Sequence, residues 1–93
     1  MHTVPPRITV APSNLTVLEN DFLNPPLPNC QATGEPMPTY TWFQPNGSPI
    51  PIIRGVPQFG VLTRSDSGTY ACVATNRAGQ VRAEFNILVE GKD

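Results

Sequence analysis

The sequence predicts an all-β fold, a sandwich or barrel of short strands without helices. Three observations carry that reading. Four segments alternate polar and apolar residues with period two, as half-buried strands do. Turn-forming clusters separate the segments, and nowhere do apolar residues recur at i, i+3, i+4. Twelve prolines and seven glycines, nineteen of 93 residues, break the chain too often for long helices.

Arg7-Ile8-Thr9-Val10 is the first alternating run, and Ala11-Pro12-Ser13 ends it. Leu15-Thr16-Val17-Leu18-Glu19 alternates again up to the polar pair Asn20-Asp21. Positions 24–29 are laden with proline and lead into Cys30-Gln31-Ala32-Thr33, which Gly34-Glu35-Pro36 stops. Thr39-Tyr40-Thr41-Trp42-Phe43 concentrates aromatic and β-branched residues, and Pro45-Asn46-Gly47 closes it as a turn. Three prolines and a glycine confine positions 49–57 to short extended pieces, and Phe59 to Thr63 is a further candidate strand. Thr69 to Thr75 alternates cleanly into the hairpin loop Asn76-Arg77-Ala78-Gly79. Val81, Ala83, Phe85, Ile87 and Val89 then hold period two.

Composition bounds the function. Positions 1–93 make one domain, with a core at about 6–90, and 10.1 kDa leaves no room for a separate catalytic domain. With 39% hydrophobic and 14% charged residues, the chain reads as folded rather than as a disordered polyelectrolyte. Six basic and seven acidic residues leave a net charge of −1 and no basic stripe, which argues against a nucleic-acid partner. No apolar run approaches the length that crosses a bilayer. The first seven residues hold no signal-peptide core, so the chain reads as a module of a longer protein. Nothing implies a cofactor.

Cys30 and Cys72 are either two buried thiols in a reducing compartment or one bridge in an oxidising one. A bridge would close a loop with 41 residues between its ends. Such a closure is worth roughly 4 kcal/mol in the loop-entropy view. Two cysteines are too few for a structural zinc site, and the single histidine, His2, lies at the terminus. Ser65, Asp66 and Ser67 are adjacent, but no base stands near them, so catalysis has no support. The chain is expected not to be an enzyme.

Residue spacing narrows the fold. Trp42 follows Cys30 by twelve positions, and Asp66-Ser67-Gly68-Thr69-Tyr70-Ala71-Cys72 reads D-x-G-x-Y-x-C. Cys30 to Pro38 reads C-x-A-x-G-x-P-x-P, and Cys72 to Gly79 reads C-x-A-x-N-x-x-G. Together these motifs resemble the I-set of the immunoglobulin superfamily, over about positions 6–90. The resemblance implies a Greek-key β-sandwich of about seven to eight short strands. It implies one inter-sheet disulfide, Cys30–Cys72, with Trp42 packed on it and Tyr70 forming a tyrosine corner. Asp66 is expected to accept backbone amides in the turn before Tyr70, and Gly68 to supply a positive φ. Only 23 residues separate Trp42 from Asp66, too few for the extra strands of a variable-type domain.

Two positions depart from the family pattern. Pro28 stands where a core leucine is usual before the first cysteine, and Leu27 is displaced by one. The prolines at 25, 26 and 28 remove ladder donors, so this strand is expected to begin near Asn29. The strand before Asp66 keeps only Phe59 and Leu62 of its usual apolar set.

The resemblance implies a non-catalytic module for protein–protein interaction, adhesion or spacing in an extracellular or cell-surface protein. The alternative is a cytoplasmic, cytoskeletal module in a titin-like array. The expected partner is a protein, either a second copy or a neighbouring immunoglobulin domain, and the isolated domain is expected to be monomeric. Asn14-Leu15-Thr16 and Asn46-Gly47-Ser48 are glycosylation sequons, the second hindered by Pro49. Phe43 and Val73 are expected to point away from the core as an apolar pair, with Arg82 and Glu84 beside them as a charged rim.

Overall fold

Pro12 divides the N-terminal strand signal between two sheets. The computed structural model describes residues 2–21 and 28–91. Before the break, β1 (Val4–Val10) pairs antiparallel with β3 (Gln31–Glu35). After it, β2 (Leu15–Leu18) joins the other sheet and runs parallel to β9 (Gly79–Glu90), with Leu15 opposite Ile87 and Val17 opposite Val89.

That second sheet holds five strands in the order β2-β9-β8-β4-β5. Its spine is the hairpin of β8 (Gly68–Asn76) and β9, joined by a two-residue turn at Arg77 and Ala78. β4 (Thr39–Phe43) pairs with the far edge of β8, a non-sequential neighbour, as a Greek key requires. Prolines fragment the chain beyond β4: β5 (Pro49–Ile50), β6 (Ile52–Ile53) and β7 (Val56–Pro57) are two residues each. β5 closes the large sheet on β4, whereas β6 and β7 form a hairpin of their own. The described residues thus hold nine strands, three of them two-residue pieces, against an expected seven to eight.

Two expected strands differ. The strand after the prolines begins at Gln31, two residues later than Asn29. Leu27 and the prolines at 25 and 26 lie outside the described residues. Phe59 to Thr63 forms no extended strand. It anchors instead through Leu62, which is 3% exposed. Leu62 O accepts Asn20 N at 2.7 Å, and Leu62 N donates to Asp21 O at 3.3 Å.

The core follows the alternation read from the sequence. Tyr70 and Cys72 on β8 face Phe85, Ile87 and Val89 on β9, with Trp42, Ile50, Leu62 and Cys30 closing the cluster. Alternation fails at the end of β1, where Thr9 and Val10 are both exposed, and most plainly in β8, where five consecutive residues, Tyr70 to Ala74, are buried. β8 lies between β4 and β9, so neighbouring side chains cover its outer face as well as its inner one.

Candidate functional site

The bridge and its tryptophan are the structural centre. Cys30 and Cys72 are joined at 2.13 Å with a χ3 of −89°, linking the segment before β3 to β8 in the opposite sheet. Trp42 stands directly across from Cys72 in the β4–β8 ladder, which sets the indole beside the sulfurs on the inner face. Four rings form a closed circuit here. Trp42 meets Phe59 and Phe85 edge-on at centroid distances of 6.1 and 5.9 Å. Tyr70 meets the same two rings at 5.9 and 5.8 Å. Edge-to-face aromatic pairs add to the burial energy. That Phe59 and Phe85 both pack on Trp42 and Tyr70 was not readable from local sequence, because it depends on how the sheets face.

The turn before β8 holds the tyrosine corner. Tyr70 Oη donates to the Asp66 main-chain oxygen at 2.6 Å. Burial, and secondarily the negative charge of Asp66, push the Tyr70 hydroxyl above its ordinary pKa of 10.0. The Asp66 carboxylate accepts Thr63 N at 2.7 Å and the Thr63 hydroxyl at 3.2 Å, capping the 3-10 turn Arg64–Asp66. Ser67 Oγ accepts Val89 N at 2.8 Å and so ties this turn to β9. Gly68 holds φ 153°, and a Cβ there would stand 2.9 Å from the Pro45 ring. Both features require glycine.

Two polar side chains do more than their motifs announced. Asn76 Nδ2 donates to Val4 O at 2.8 Å and Pro36 O at 2.9 Å, while its Oδ1 accepts Ala78 N at 2.9 Å. One amide therefore pins β1, the turn after β3 and the β8–β9 hairpin together. The Tyr40 hydroxyl accepts Ala32 N at 2.8 Å and donates to Ala32 O at 3.4 Å, so β4 holds the main chain of the opposite sheet. Both residues were visible in the sequence, but the Asn76 partners Val4 and Pro36 lie 72 and 40 positions away.

The outer face of the five-stranded sheet is the candidate contact surface. Its rows run Thr41-Val73-Arg82 and Phe43-Ala71-Glu84 across β4, β8 and β9. Phe43 and Val73 lie on this outer face, as expected, but not as an open apolar pair: Phe43 is half-buried and Val73 only 9% exposed. The physical cause is the central position of β8, whose outer face β4 and β9 cover from both sides. Arg82 and Glu84 are exposed, as expected, but Arg82 Nε donates to Glu84 Oε2 at 3.0 Å, so they neutralise one another. The exposed apolar residues of this face are instead Leu88, 52% exposed, and Leu18, 49%, at the β2–β9 end. Period-two counting along both strands could have found them.

Both sequons are on the surface. Asn14 is exposed, and its Oδ1 accepts Asn86 N at 2.8 Å. Asn46 is exposed at the turn between β4 and β5. An open groove of about 570 Å³, lined in part by Asn29, Cys30, Tyr40, Trp42 and Ile52, carries no charged side chain in its wall. Among the described residues no three metal-ligating groups converge, and no helix is long and apolar enough to cross a membrane.

Comparison with known proteins agrees with this geometry. The family model described as immunoglobulin domain matches residues 5–76. Mouse hemicentin-2 is 37% identical over 99 residues, covering 96% of this chain and 2% of its own length. Rat contactin-4 is 38% identical over 72 residues, covering 69% of this chain and 7% of its own length. The chain thus spans a small fraction of the curated relatives it matches. Titin domains z1z2, solved in complex with telethonin, superpose with a TM-score of 0.77 at 24% identity, over 99% of this chain and 50% of that one. Sidekick-1 immunoglobulin domains 1–5 give a TM-score of 0.77 at 23% identity, over 98% of this chain and 21% of that one. The bridge, the tryptophan beside it, the tyrosine corner and the matched family model lead to one conclusion: the chain belongs to the immunoglobulin-domain family, as a non-catalytic β-sandwich module.

Proposed function

We propose that this chain is an extracellular I-set module of a larger adhesion, receptor or matrix protein, acting through protein–protein contact or as a spacer. The observation that carries the reading is the Cys30–Cys72 bridge, because structural disulfides form and persist in oxidising compartments. Similarity to hemicentin-2 and contactin-4 supports the same placement. The parallel pairing of β2 with β9, together with the cysteine-flanking motifs, supports the I-set assignment. Asn14, on an exposed loop in such a protein, is the favoured glycan acceptor.

The contact surface is the outer face of the large sheet, with Phe43 as its partly covered apolar centre and Leu18 and Leu88 extending it. Arg82 and Glu84 form the polar rim that interfaces commonly carry. Phe43→Asp combined with Leu88→Asp in the full-length protein tests this. Lost partner binding with an unchanged near-UV spectrum supports the face, and unchanged binding leaves the spacer role.

A cytoskeletal module is the second reading, favoured by likeness in fold to titin domains. Thiol titration under denaturing conditions, on protein taken from its own cells, separates the two. Two reactive thiols would establish the cytoskeletal reading, and none the extracellular one.

A further inference from the structure

We propose that Asn46 is a self-modifying site, where attack by the Gly47 backbone nitrogen converts the asparagine to aspartate or isoaspartate. The turn between β4 and β5 is exposed, and Gly47, at φ 88°, has no Cβ to shield its nitrogen. Asn46 Oδ1 accepts the Ser48 N–H at 2.9 Å, an Asx turn that folds the side chain back along its own main chain. That bond holds the Asn46 side-chain amide alongside the Gly47–Ser48 main chain. It also places an N–H donor on the oxygen where negative charge grows as Cγ becomes tetrahedral. Among the described residues, Asn46 is the one asparagine followed by glycine.

The step balances with water alone. Hydroxide takes the proton of Gly47 N, whose electron pair bonds to Asn46 Cγ. The Cγ–Nδ2 bond then breaks, and Nδ2 takes up a proton and leaves as ammonia. Water next opens the resulting five-membered imide at one of its two carbonyls. Opening at Cγ gives aspartate on a normal backbone, and opening at the main-chain carbonyl gives isoaspartate, with the backbone rerouted through Cβ and Cγ. Nothing is oxidised or reduced.

One contact opposes the step. Gly47 N–H donates to Gln44 O at 2.9 Å, so that bond must open before the nitrogen can attack. Turn opening therefore gates the reaction. The product would act beyond the turn, because isoaspartate lengthens the backbone inside the loop closed by Gln44 N donating to Ser48 O at 2.8 Å. That loop sets Phe43 opposite Pro49 and Trp42 opposite Ile50. Loss of Nδ2 also abolishes the sequon, so glycosylation and conversion exclude one another on Asn46.

The test is incubation of the intact chain at neutral and mildly alkaline pH, followed by peptide mapping and enzymatic isoaspartate methylation. A synthetic peptide of residues 43–50 serves as the reference. The expected result is aspartate and isoaspartate accumulating at position 46, faster at alkaline pH, while Asn14, Asn76 and Asn86 stay intact. Ser48→Pro removes the N–H on Oδ1 and should slow conversion by roughly tenfold, the rate worth of about one net hydrogen bond. An unchanged near-UV spectrum confirms that this variant is folded. Should Asn46 stay intact while the peptide converts, the site is refuted. Conversion of folded Ser48→Pro at the parental rate would refute the Asx geometry as its cause.

Discussion

Tyr70 shows how one hydroxyl couples a turn to a core. It is buried in the ring circuit, and its Oη reaches the Asp66 main chain. Tyr70→Phe should lose about 1 kcal/mol of stability, the usual net worth of one such bond, as measured by urea unfolding. The same residue makes stability depend on alkaline pH. Its pKa is raised in the folded state, so above about pH 10 the unfolded chain sheds a proton that the folded chain keeps. The unfolded state then binds fewer protons, and stability falls as pH rises. Below that range the contribution is fully present. The gap between the parent and Tyr70→Phe should therefore narrow as pH climbs past about 10, read from paired unfolding curves. Gly68→Ala meets both a left-handed φ and the Pro45 ring, and should cost about 1–3 kcal/mol by the same measurement. Tyr70, Asp66 and Gly68 were legible in the sequence because their bonds are local. Asn76 was not, since two of its three partners, Val4 and Pro36, lie far along the chain.

At the scale of elements, the two halves of the sandwich are unequally built. The five-stranded sheet has continuous ladders, whereas among the described residues β1 and β3 pair with one another alone and carry shifts in register. Cys30 ties the weaker half to the stronger one, so replacing both cysteines by alanine should cost about 2–5 kcal/mol. Differential scanning calorimetry of the double variant under nonreducing conditions checks this. Leu62 serves the same junction from the other side. Its side chain enters the core, and its main chain pairs with Asn20 and Asp21. Leu62→Ala should cost about 2–5 kcal/mol, comparable to a regular core strand residue, and a loss well below that would show the segment to be peripheral. The sequence marked this segment as weak by its missing apolar positions. Whether it would still pair depended on where Asn20 and Asp21 came to lie.

For the whole molecule, the surface decides how binding is achieved. The outer sheet face offers one half-buried phenylalanine, two exposed leucines and an ion pair that satisfies itself. An exposed pair of this kind adds little to stability or affinity. A single module should therefore bind weakly, and useful strength would come from repetition through effective concentration. In surface plasmon resonance, a tandem of two copies should hold an immobilised multivalent partner about 100-fold or more tightly than one copy. An equal affinity would argue for a spacer. What the sequence alone determined is the all-β class, the cysteine–tryptophan–tyrosine framework and the β8–β9 hairpin, because period two and short-range motifs encode them. Only the tertiary structure decided that Val73 is covered, that Phe59 and Phe85 complete the ring circuit, and that Asn76 joins three segments. The alternation of a strand says which side a residue faces, but what lies on that side is set by strands distant in the chain.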